Sequence, residues 1–68
     1  MQVGDQIQVQ ISGGETGVTL GDPNGASMTI GPDASMAVAG VIIADLGNRW
    51  RVQLNMSIAG QNIVEVQK

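Results

Sequence analysis

Residues 36–56 read MAVAGVIIADLGNRWRVQLNM, two alternating runs joined by Asp45-Leu46-Gly47-Asn48. In the second run Trp50, Val52, Leu54 and Met56 alternate with Arg49, Arg51, Gln53 and Asn55. In the first, Met36, Val38 and Ile42 hold the even positions. Successive side chains on a strand point to opposite faces, so a period of two marks strands with one buried side. Asp, Gly and Asn between them are turn formers, and the two runs read as a hairpin.

The same phase extends in both directions. Val18, Leu20, Ala26, Met28, Ile30, Ala34, Ala44, Leu46, Ile58, Val64 and Val66 are also even, and the odd positions between them are mostly polar or Gly. Met28 and Met36 are therefore expected to point inward. Before residue 12 the phase is reversed, with Val3, Ile7, Val9 and Ile11 odd and Gln6, Gln8 and Gln10 even. The switch falls in Ser12–Gly17, SGGETG, as a loop with an odd number of residues or a bulge. No helical period is sustained, so the chain is all-β.

Breakers separate six expected strands, at 2–11, 17–21, 26–30, 35–44, 49–56 and 62–67. Asp22-Pro23-Asn24-Gly25 suits a type I turn with a Gly bulge. Asp can bond back to the backbone, Pro sets φ, and Gly accepts positive φ. Ala-Ser-Met occurs at 26–28 and again at 34–36, an echo the length of one short strand plus one turn. Ser57-Ile58-Ala59-Gly60 suggests one turn of 3₁₀ helix, with Ile58 plugging one end of the core. Together these features predict one domain over 1–68, a five- to six-stranded antiparallel barrel with short hairpin turns. The layout resembles SH3-like or OB-like small barrels, an architectural likeness that closure of strand edges would explain.

Composition narrows function. The chain has 68 residues, no Cys, His, Phe or Tyr, and a single Trp, so its core is thin. Disulfides and the usual zinc and iron–sulfur ligand sets are ruled out, which leaves self-association as the remaining way to stabilise so small a chain. Without His or Cys no Ser–His–Asp or Cys–His nucleophile can form, and Glu15, Asp22, Asp33 and Asp45 lie in or beside turns. A non-enzymatic protein is expected, with no cofactor. Asp22, Asn24 and Asp33 could supply oxygen ligands to calcium, yet they lack EF-hand spacing and read as turn residues. Gly13-Gly14 is followed by Glu15, which would repel a phosphate.

Three basic residues against six acidic ones give a net charge of −3, which argues against nucleic-acid binding. Met1 leads into a polar, Gln-rich segment, and the longest mostly apolar run, 36–44, is too short to span a bilayer. The expectation is a soluble chain, cytoplasmic or virion-associated, with no membrane role. Trp50 shares its phase with Val52 and Leu54 and belongs to the core. Arg49 and Arg51 then share the outer face and are the candidates for contacting an acidic partner. Val41-Ile42-Ile43 is apolar on both faces, which predicts cover on both sides by barrel closure or by a subunit contact. Val41 and Ile43 are thus the candidates for self-association. The favoured reading is a module that forms a homo-oligomer or docks on a protein partner. The alternatives are a structural component of a larger assembly, such as a phage virion or a β-solenoid segment, and a weak ligand or nucleic-acid binder.

Overall fold

A computed structural model describes all of residues 1–68. Six strands form one antiparallel sheet: β1 (Gln6–Ser12), β2 (Val18–Gly21), β3 (Ser27–Ile30), β4 (Ser35–Asp45), β5 (Arg49–Ile58) and β6 (Gln61–Gln67). The hydrogen-bonded order is β1-β4-β5-β2-β3, with β6 also on β5, and the sheet curls into a half-barrel.

Two long strands hold it together. β4 pairs with β1 through residues 35–41 and with β5 through 40–45, so its two edges are paired over staggered stretches that overlap at Gly40 and Val41. β5 pairs with β4 along 50–54 and with β2 at Ser57 and Ile58, while β6 runs along its opposite edge. Gly40 lies in that overlap. A Cβ there would lie 2.7 Å from Val52 Cγ1 and 2.8 Å from the Gln53 carbonyl oxygen. Only a residue without a side chain lets β4 and β5 approach so closely at this bend.

The inner face carries the core: Val9, Leu20, Ile30, Val38, Ile42, Trp50, Val52 and Leu54. These obey the predicted phases, odd in β1 and even afterwards. The phase changes across 13–17, a loop that docks on the β3–β4 turn: Gly13 N donates to Ala34 O (2.7 Å) and Asp33 N to Gly14 O (2.7 Å). Met36 packs against the core as expected. Met28 lies opposite the fully buried Leu20 and shares its face, yet remains 43% exposed. β3 is the outermost strand, so Met28 has a strand neighbour on one side only, whereas Ile30 at the other end of β3 is buried.

The predicted turns form with the expected chemistry. Asp22 Oδ1 accepts from Asn24 N (2.9 Å) and Ala26 N (3.0 Å), and Gly25 takes φ +87°. At the β4–β5 hairpin Asp45 Oδ1 accepts from Gly47 N (2.9 Å).

Two local expectations are corrected. Residues 2–5 are not strand: Asp5 N donates to Gln2 O (3.1 Å) and Gln2 N to Asp5 Oδ2 (2.9 Å), closing a turn before β1. Residues 57–60 form no 3₁₀ turn. β5 continues to Ile58, and Ala59 (φ +51°) and Gly60 (φ +81°) make a two-residue hairpin turn of the I′ kind, with Ile58 opposite Gln61. Its hand matches strand twist, whereas a helical turn would splay β5 and β6 apart.

The Ala-Ser-Met echo places Met28 in β3 and Met36 in β4, strands that are not neighbours in the sheet. It reflects one strand and one turn, repeated.

Candidate functional site

The outer face of β4 holds the predicted self-association residues. β4 alternates with Val38, Gly40 and Ile42 buried and Ala37, Ala39, Val41 and Ile43 outward. Val41 is 37% and Ile43 38% exposed. Barrel closure does not cover them: the double-sided apolar run has one side in the core and the other open. Across the sheet Val41 lies opposite Gln53, and Gln53 opposite Ile63, which is 48% exposed. The row Gln6-Val41-Gln53-Ile63 therefore crosses four strands with two large apolar side chains in it. An open hollow of ≈ 510 Å³ lies beside it, lined by Ala39, Val41, Ile43 and Leu54.

Ile43 owes its place to a bulge. Ile42 faces Val52 but Ala44 faces Arg51, so Ile43 is the extra residue on its strand. The bulge also shifts the phase beyond it and brings Asp45 opposite Trp50. There Asp45 Oδ1 binds Lys68 Nζ at 2.7 Å, and the ammonium sits 4.0 Å from the centroid of the Trp50 ring. The ammonium thus has a carboxylate on one side and the ring's negative face on the other. The Lys68 hydrogen bond, with the Gly47 amide second, holds the Asp45 carboxyl below its ordinary pKa. Trp50, 8% exposed, is a core residue at the rim. It borders an open groove of ≈ 800 Å³ between β1 and β6, lined also by Ile7, Val9, Val66 and Lys68.

Arg49 and Arg51 do share the outer face. Glu65 lies between them, with Oε1 2.8 Å from Arg49 Nη1 and Oε2 3.4 Å from Arg51 Nη2. One carboxylate thus offsets half of the positive charge expected to face a partner. The sequence reading missed Glu65 because the register of β6 depends on an irregularity in β5. Pairing runs from Arg49–Gln67 to Gln53–Ile63, breaks, and resumes only at Ile58–Gln61.

No three acidic side chains converge as a metal site, and Asp22 Oδ1 is occupied by its own turn. No helix is long and apolar enough to cross a membrane. No protein-family model, curated protein or solved structure matches the chain.

Proposed function

We propose that this chain is a non-enzymatic β module that works by association, with copies of itself in the first place, through the outer face around Val41 and Ile43. One observation carries the reading: Val41, Ile43 and Ile63 stand exposed on one face of a chain whose buried core is only eight hydrophobic residues. Covering those side chains would add to a core that is small for its length. The paired Arg49, Arg51 and Glu65 would form a polar rim beside the apolar centre, an arrangement common at interfaces. Docking on a different protein would use the same face.

Sedimentation velocity across a range of micromolar concentrations tests this. The expected result is a concentration-dependent oligomer that Val41→Lys combined with Ile43→Lys disrupts. A chain that stays monomeric throughout, or an oligomer indifferent to both lysines, overturns it. Participation in a larger structural assembly is a second reading, favoured by the unpaired outer edges of β1, β3 and β6. It predicts high-order species rather than a discrete small oligomer.

A further inference from the structure

We infer that β1 is a second, independent interface, at which the strand pairs antiparallel with β1 of a second copy of this chain about a two-fold axis at Val9. The inference rests on self-association as proposed above but assigns it a different surface. Three strand edges are open: those of β1, β3 and β6. β3 has only four residues, and β6 carries Glu65 with Lys68 just beyond it. β1, QIQVQIS, has seven residues and itself carries no charge, proline or bulge, three of the usual devices against edge pairing, although Met1 and Lys68 border the groove beside it.

Backbone parity shows what that edge offers. Ile42 N donates to Asp5 O (3.0 Å) and Gly13 N to Ala34 O (2.7 Å), one bond at each end of β1 and both in register with its pairing to β4. Bonding residues alternate along an antiparallel ladder, so odd residues of β1 bond toward β4. Gln6, Gln8, Gln10 and Ser12 then direct N–H and C=O outward. The molecule has 36 backbone–backbone bonds, against about 45–50 for a chain of this length. Its radius of gyration, 12.2 Å, exceeds the roughly 11 Å of a compact chain of this size. Both departures fit a sheet left open at its edges.

The occupant follows from the sequence of the strand, which is nearly palindromic about Val9. Antiparallel pairing centred there sets Gln8 opposite Gln10 of the other copy, Gln6 opposite Ser12, and Ile7 opposite Ile11. The bonded pairs are then the even residues, as parity requires, and about eight backbone bonds form. The apolar side chains meet on the inner face and the Gln side chains on the outer one. Every one of the chain's charges lies outside 6–12, so two copies of net charge −3 meet at their neutral edges. The pairing is self-complementary, as a two-fold contact must be.

A charge-swap experiment tests this. Gln8 and Gln10 are exposed, so Gln8→Lys with Gln10→Lys leaves the core untouched, as does Gln8→Glu with Gln10→Glu. Each pair sets like charges opposite one another across the axis. Sedimentation should show either variant alone self-associating at least about tenfold more weakly than the unmodified chain. An equimolar mixture should restore a one-to-one complex. Hydrogen exchange should show Gln8 and Gln10 amides protected in the complex and released on dilution. If the lysine variant associates like the unmodified chain, or the mixture fails to rescue, the β1 pairing is wrong. If Val41→Lys with Ile43→Lys abolishes association while the β1 variants do not, the outer-face reading stands and this one falls. A monomer at every concentration overturns both.

Discussion

Replacing Gly40 by Ala should cost the fold far more than one methyl group ordinarily does. The added Cβ would meet Val52 Cγ1 at 2.7 Å, the Gln53 carbonyl oxygen at 2.8 Å and Leu54 Cδ2 at 3.1 Å. The two side chains can rotate only into a buried core, since Val52 is 0% and Leu54 2% exposed. The carbonyl cannot move without drawing β5 away from β4 at the Gly40–Leu54 pair. Overpacking of this kind costs about 1–3 kcal/mol. Reduced freedom of the unfolded chain returns about 0.4–1 kcal/mol. The net loss, about 1.3 kcal/mol at the middle of these ranges, lowers Tm by about 5–10 °C in a domain of this size. Thermal unfolding followed by circular dichroism and Trp50 fluorescence measures it. Gly31→Ala is the control, because nothing lies within 4 Å of a Cβ there and its φ is not positive. That variant should melt at or slightly above the parent temperature. A Gly40→Ala protein whose Tm matches the control would refute the close approach of β4 and β5 as the reason for glycine.

Ala59→Asn should raise stability by about 1 kcal/mol, because Ala59 holds φ +51° in a two-residue turn whose best sequence is Asn-Gly. A lower Tm would contradict the turn assignment. Asp22→Ala should lose about 1 kcal/mol with its two amide bonds, while Asp22→Asn keeps the accepting oxygen and most of the stability. Equal melting of the two variants would show that the side chain plays no part in the turn. The Asp45 carboxyl is acidified in the folded state by Lys68 and the Gly47 amide, so it binds its proton less readily there than in the unfolded chain. Its contribution is complete above the ordinary aspartate value, about 3.9, and is lost as pH falls through the lower native value. Trp50 fluorescence should change over that window as Lys68 loses its carboxylate, and Asp45→Asn should remove the transition; a transition that persists would place its origin elsewhere.

Among the candidate functional residues, the outward direction of Val41, Ile43, Arg49 and Arg51 was legible from alternation alone, because strand geometry sends neighbours to opposite faces. Their surroundings were not. Glu65 reaches the two arginines only because β5 bulges between Gln53 and Ile58. A regular hairpin closed by Ala59-Gly60 would carry the Ile58–Gln61 pairing onward and set Val52 against Gln67. That would match an inward side chain with an outward one, since a shift by an odd number reverses the face. The irregularity restores Val52 to Val64 and Trp50 to Val66. The polarity pattern demanded some correction but carried no sign of where in β5 it would fall. The bulge at Ile43 is similar, since Ile42, Ile43 and Ala44 are apolar whichever one is extra.

What the sequence determined by itself was local: strand class, the phase reversal at 12–17, the Asp22 and Asp45 turns, and a core built on Val38, Ile42, Trp50, Val52 and Leu54. These follow from side-chain period and turn chemistry, which act over two to five neighbouring residues. The tertiary structure alone decided that β4 pairs with β1 and β5 over staggered stretches that overlap at Gly40, that β6 slides along β5, and that the outer edge of β1 is left open. Each of these depends on which distant strand wins a given backbone edge, and a strand's own residues state its faces without naming its neighbours.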